Sequence, residues 1–136
     1  TFVPNERPEL IVHADEILAQ RVPLLIDSRT APRYYGEEEP IDPVAGHIPG
    51  ARNFSYQLTL TPDGCFQDID TLKELFTNLL GGIPAQKTTF YCGSGVTAVV
   101  NILALMHAGL GEARIYSDSW SGWITDPNRP IATTEQ

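Results

Sequence analysis

The chain has 136 residues, a hydrophobic share of 42% and a formal net charge of −8. That length suffices for one domain with its own core, and no run approaches the roughly 20 apolar residues of a membrane span. The acidic balance argues against a nucleic-acid partner and makes the binding of any anion depend on local positive charge.

Taken in chain order, Thr1 to Pro8 is polar and proline-bearing. Residues 1–10 read as a linker from a preceding domain rather than a signal peptide, with one domain over residues 11–136. Ile11-Val12 reads as a short strand. Ala14 to Arg21 reads as a helix with Asp15 and Glu16 in its first turn. Pro23 to Ile26 is a strand bounded by Asp27. Thr30 to Tyr35 reads as a short helix or turn, Gly36 to Pro49 as a loop rich in acid, proline and glycine, and Ala51 to Phe54 as a strand. Thr59 to Phe66 is irregular, turning at Pro62-Asp63-Gly64. Leu72, Leu75, Phe76, Leu79 and Leu80 fall at helical spacing, which predicts an amphipathic helix over Asp70 to Leu80 that ends at Gly81-Gly82.

Thr88 to Tyr91 reads as a buried strand, and Val96 to Gly109 as a nearly all-apolar helix expected to be buried on several sides. Arg114 to Tyr116 reads as a last strand and Ser119 to Thr125 as a short helix carrying Trp120 and Trp123. Short apolar strands alternating with helices imply an α/β domain with a mainly parallel sheet. Ligands of such sheets bind at the carboxyl ends of the strands, where Asp27 and Cys92 both fall.

The chemistry concentrates at Cys92-Gly93-Ser94-Gly95-Val96-Thr97-Ala98. A strand stops at a cysteine, a donor-rich loop follows, and a helix begins. Such a turn aims backbone N–H groups and a helix N-terminus at one sulfur, which favours thiolate over thiol. A lone cysteine is more often an inert packing residue, and the Gly-Ser-Gly brings the two readings level. The chain's two cysteines, Cys65 and Cys92, form no disulfide framework. A reducing, cytoplasmic compartment is expected. No Cys/His cluster has the spacing of a zinc site, and no metal is expected.

Four motifs carry a family resemblance. They are Leu25-Ile26-Asp27-Ser28-Arg29, Gly46-His47-Ile48-Pro49-Gly50-Ala51, the Cys92 to Ala98 loop, and Tyr116-Ser117-Asp118-Ser119-Trp120-Ser121-Gly122-Trp123. With these in this order the chain resembles the rhodanese superfamily of sulfurtransferases. It is most similar to the C-terminal, catalytic half of the tandem-domain thiosulfate and 3-mercaptopyruvate enzymes. The resemblance implies a three-layer fold with helices on both faces of the sheet. It implies that Cys92 takes sulfane sulfur as a persulfide and passes it to cyanide, a thiol or a thioredoxin-like protein. No cofactor is implied.

Further roles follow from the same resemblance. The loop Gly93, Ser94, Gly95, Val96 and Thr97 would cradle the persulfide, with Ser94 relaying a proton to the leaving enolate or simply capping the turn. Arg33 would clamp the carboxylate of a small anionic donor; the alternative is a surface arginine paired with the Glu37-Glu38-Glu39 run. Asp27 and Arg29 would hold the loop through buried hydrogen bonds, and His47 would hold a turn rather than act on sulfur. Trp120 and Trp123 would wall the cleft or pack the last helix. Gly93 and Ser94 stand where thiosulfate-specific members carry basic residues. The stretch Glu39 to Ala45 lacks the second arginine of mercaptopyruvate members. An N-terminal half of the same protein is the expected partner across the cleft, and a persulfide carrier or interaction module is the alternative function. A cysteine phosphatase needs an arginine where Ala98 stands.

Overall fold

The computed structural model describes residues 1–134. Four strands, β1 (Leu24–Asp27), β2 (Arg52–Asn53), β3 (Thr88–Tyr91) and β4 (Arg114–Ile115), form one parallel sheet in the order β2-β1-β3-β4. The central strands β1 and β3 are buried at all four of their positions, as an apolar run covered on both faces requires. Their register pairs Asp27 with Tyr91, so Ser28 and Cys92 leave the sheet side by side. The strand order reverses direction between β1 and β3. The crevice past their carboxyl ends is therefore where this topology places a ligand.

Among the described residues, five α-helices cover the sheet: α1 (Ala14–Leu18), α2 (Ala31–Tyr34), α3 (Ile69–Leu80), α4 (Ala98–His107) and α5 (Ser119–Trp123). Two apolar clusters mark the two faces. Leu24, Ile26 and Phe90 pack with Leu72, Phe76 and Leu80 of α3 and with Ala104 and Leu105 of α4. Leu25 and Tyr91, facing the other way, pack with Tyr34, Tyr116, Trp120 and Trp123. The α3 helix starts where Asp68 accepts the Thr71 N–H at 2.9 Å and stops at Gly81, whose φ of +56° is left-handed.

Several expectations need correction. Ile11-Val12 makes only a single bridge from Ile11 to Ile115, because α1 begins two residues after Val12. The helix expected over residues 14–21 ends at Leu18, since Gln20 turns left-handed at φ +58°. The apolar helix begins at Ala98 rather than Val96, and it is not buried on several sides. Ala98, Asn101, Ala104 and Leu105 face the sheet, whereas Val99, Leu103 and Met106 keep 49%, 52% and 44% of their surface. Apolarity without a polar stripe does not say which face is covered. Both tryptophans are fully buried packing residues; their indole N–H groups donate to Val44 O and Pro130 O, each at 2.8 Å.

Candidate active site

β3 delivers Cys92 to the switch crevice, and the chain then wraps around the sulfur. The Gly95 N–H donates to Cys92 Sγ at 3.0 Å. Burial raises the thiol pKa, but the Thr97 hydroxyl and the N–H groups of Ala98, Ser94 and Gly95 outweigh it, and the net shift is downward. Thr97 contributes its hydroxyl, the Ala98 N–H lies one residue beyond the expected loop, and Gly93 and Val96 line the opening instead. Helix α4 starts at Ala98, whose N–H is the one that its first turn directs at the sulfur; the next two, Val99 and Val100, donate to the Val96 and Thr97 carbonyls at 3.3 and 3.1 Å.

Two glycines shape the loop, the first of them dictated by geometry. Gly95 has φ +91°, and a Cβ there would stand 2.5 Å from the Ser117 carbonyl oxygen. At Gly93 a Cβ would meet Arg33 Nη2 at 3.3 Å, so the missing side chain leaves room for a guanidinium to approach the loop backbone. The loop is also held from behind. The Cys92 N–H donates to Ser119 Oγ at 3.1 Å, and that hydroxyl donates to Tyr116 O at 3.0 Å. The Cys92 and Gly93 carbonyls accept the Trp120 and Ser121 N–H groups at 3.0 and 2.8 Å. Ser119 adopts φ +57°, an uncommon conformation for a residue with a side chain, and its hydroxyl is the buried link between α5 and the cysteine. In the sequence it stood only as a member of the Tyr116 to Trp123 motif, with no role of its own.

In front of the sulfur lies a cavity of about 160 Å³ lined by Arg33, Ile41, Asp42, Ser94, Thr97 and Ser121 among others. Ser94 is exposed at its edge. Arg33 does reach this cavity, and it is also paired: Nη2 lies 2.8 Å from Glu39 Oε1 and 3.5 Å from Asp42 Oδ2. The functional and the ion-pair readings of Arg33 therefore describe one side chain. Glu39 is nearly buried; burial raises its pKa, and the Arg33 guanidinium with the Asp42 and Ile41 N–H groups brings it below the usual carboxylate range.

Asp27 and Arg29 lie behind the loop. Arg29 Nη2 donates to Asp27 Oδ2 at 2.7 Å and to the Gly46 carbonyl at 2.6 Å, and the guanidinium lies over the Trp120 ring at 5.0 Å. Both residues are buried and their bonds run to protein groups. His47 is buried too: Nδ1 is 2.7 Å from Tyr34 O, the ring stacks on Tyr34 at 3.7 Å, and its backbone bonds Ala132 in both directions. It fixes a turn away from the cavity lining. Cys65 is an exposed free thiol. What sequence reasoning missed is the full set of partners in the acid loop. A pairing of Arg33 with the Glu37 to Glu39 run was among the readings, but not that Glu39 is shared with Arg29 or that Asp42 joins it at Arg33.

The Rhodanese-like domain family matches residues 12–126. The chain belongs to that family. It is 52% identical over 109 residues to a probable 3-mercaptopyruvate sulfurtransferase of Pseudomonas aeruginosa, covering 80% of this chain and 38% of that protein. It is 38% identical over 133 residues to a putative thiosulfate sulfurtransferase of Mycobacterium tuberculosis, covering 89% and 46%. Against the 3-mercaptopyruvate sulfurtransferase of Escherichia coli it is 32% identical over 130 residues, covering 91% and 45%. The chain thus spans less than half the length of these relatives. Among solved structures, that of an anaerobic ergothioneine biosynthesis enzyme from Chlorobium limicola superposes with a TM-score of 0.80 at 25% identity, over 96% of this chain and 33% of that one. The rhodanese-like α/β fold expected from the four motifs is the observed one.

Proposed function

We propose that this domain is a sulfurtransferase working through a Cys92 persulfide. The observation that carries the reading is the sulfur itself: a thiol with a lowered pKa, ringed by N–H donors, on the floor of a small cavity that an arginine enters. The Cys92 thiolate attacks the sulfane sulfur of the donor. The new Sγ–S bond forms as the donor's C–S bond (3-mercaptopyruvate) or S–S bond (thiosulfate) breaks, releasing pyruvate enolate or sulfite with the electron pair. An acceptor, cyanide or a thiolate, then takes the outer sulfur and returns Cys92 to thiolate. The N–H groups that favour the thiolate serve the persulfide anion equally, so the cradle need not rearrange between the half-reactions.

Arg33 holds the donor's carboxylate or sulfonate oxygens. Ser94, at the cavity edge, relays the proton to the enolate; Gly93, Gly95, Val96 and Thr97 shape the loop, and Asp27 with Arg29 hold it in place. Residues 1–10 serve as a linker and 11–136 as the catalytic domain. An N-terminal half of the same protein completes the cleft, so the domain alone turns over weakly. A cytoplasmic setting suits a chain whose chemistry needs a free thiol.

The test is intact mass after brief exposure to 3-mercaptopyruvate and, separately, to thiosulfate. A gain of one sulfur, absent in C92S and removed by cyanide, is expected, and the faster donor identifies the preference. No gain from either donor, in this domain and in the complete protein alike, would overturn the reading.

A further inference from the structure

Arg33 enters the cavity with its charge already answered, and the two carboxylates that answer it are held differently. Glu39 is tied to the chain: it accepts the Ile41 and Asp42 N–H groups at 3.3 and 3.0 Å and faces Arg29 Nη1 at 3.4 Å. Asp42 is held at one oxygen only. Oδ1 accepts the Ser121 hydroxyl at 2.8 Å, whereas Oδ2, 3.5 Å from Arg33 Nη2, is buried without a hydrogen-bond partner. The Asp42 side chain is only 10% exposed. A buried carboxylate oxygen that lacks a donor while standing beside a cation is an ion pair of poor geometry, readily improved on by another anion. Asp42, Arg33 and Cys92 all line the same cavity.

We propose that Asp42 is a specificity-determining residue: its carboxylate stands at Arg33 in place of a substrate anion and sets how strongly the site resists negatively charged reagents on their way to Cys92. The proposal rests on the sulfurtransferase reading only in taking Cys92 as the reactive thiol and Arg33 as its anion contact. With the cysteine ionised, Arg33 faces Glu39, Asp42 and a thiolate. An incoming anion must share the guanidinium with Asp42 or displace it. Glu39 is the less replaceable of the two, because the backbone N–H groups of its own loop hold it. Removing the charge at position 42 therefore frees Arg33 while leaving the loop's fold intact, since the amide oxygen in D42N still accepts from Ser121. The gain grows with the charge on the reagent, so a dianion such as thiosulfate benefits more than a monoanion such as 3-mercaptopyruvate.

Iodoacetate and iodoacetamide test this without any sulfur donor. With either reagent the Cys92 thiolate displaces iodide: a C–S bond forms, the C–I bond breaks, and iodide leaves with the electron pair. Both react with the same thiolate, so the ratio of their rate constants is insensitive to how much of Cys92 is ionised and reports the one negative charge by which they differ. Measured by mass in a C65S background, the iodoacetate-to-iodoacetamide ratio is expected to rise about tenfold in D42N and to fall in R33Q. D42S serves as the second charge-removing variant should D42N melt early. A ratio within about twofold of the parent in folded D42N or D42S overturns the proposal. Loading with 3-mercaptopyruvate and thiosulfate separates it from the function reading. A raised ratio with no sulfur uptake keeps Asp42 and removes sulfur transfer, whereas sulfur uptake with an unchanged ratio does the reverse.

Discussion

Arg29 and Arg33 sit on the same rim of the sheet, one turn of chain apart, and illustrate two uses of a guanidinium. Arg29 is 1% exposed and its donors run to both Asp27 oxygens and the Gly46 carbonyl, with Trp120 beneath the charge. Arg33 is 15% exposed, keeps its place through Glu39 and an ill-fitting Asp42, and borders open space in front of Cys92. A cation is available to a ligand to the degree that its donors are not already engaged by the protein. By that measure Arg29 is taken up by the fold and Arg33 stays open to the cavity, although each has an acid within four residues in the sequence.

The two arginines should differ most at the level of stability, through Asp27. D27N leaves the Arg29 charge buried without its bidentate partner, and such a loss costs about 3–5 kcal/mol. Chemical denaturation at neutral pH is expected to show that drop. R33Q is expected to cost only about 1 kcal/mol, since Glu39 keeps its backbone N–H donors and the pair is part-solvated. Its effect should appear instead in the KM for an anionic donor, raised about 10- to 100-fold with little change in stability. Equal destabilisation by the two variants would erase the distinction.

The difference between these two arginines was only half legible in the sequence. The central strands were clear because Leu24 to Ile26 and Thr88 to Tyr91 are apolar or β-branched runs closed by a charged residue and a cysteine. The cysteine loop was clear because glycines flank a serine just before a helix-forming stretch. The cavity wall was not. Residues 36–49 have no periodicity, and the φ +125° turn at Gly46 that brings the loop back depends on Ala132, far along the chain. The role of Ser119, quoted only as part of a motif, was illegible for a similar reason, since a left-handed serine is favoured by no local signal and goes with its bonds to Cys92 and Tyr116. The outer face of α4 misled because an apolar helix reads the same whether its second face is buried or bare.

Thr97 acts on the sulfur anion and not on the cation facing it. Its hydroxyl, with three backbone N–H groups, holds the Cys92 thiol pKa down against burial. T97V keeps the shape and removes the donor. The pH profile of iodoacetamide alkylation should move to higher pH, and the rate at neutral pH should fall about tenfold, the worth of one hydrogen bond to a charged acceptor. Donor KM should be nearly unchanged, because Arg33 is untouched. A raised KM with an unmoved pH profile would mean that Thr97 contacts the donor and not the sulfur.

The smallest expected effect lies at His47, in the turn whose Gly46 carbonyl receives Arg29. Burial lowers the His47 pKa below the ordinary 6.5, partly offset by the Tyr34 carbonyl and Asp27, while nearby Arg29 adds to the lowering. The cause is visible in the bonding: Nδ1 meets Tyr34 O, and Nε2 is buried with no acceptor for a second proton. The unfolded chain therefore binds more protons than the folded one once pH drops toward 6.5. The resulting stability is fully present above 6.5 and is lost as pH falls through the folded value. H47N retains an N–H for Tyr34 and removes the titration, so its denaturation midpoint should decline less than the parent's across that window. A parallel decline in both proteins would place the acid sensitivity elsewhere, with Glu39 the next group to examine because its lowered pKa gives the same sign at lower pH.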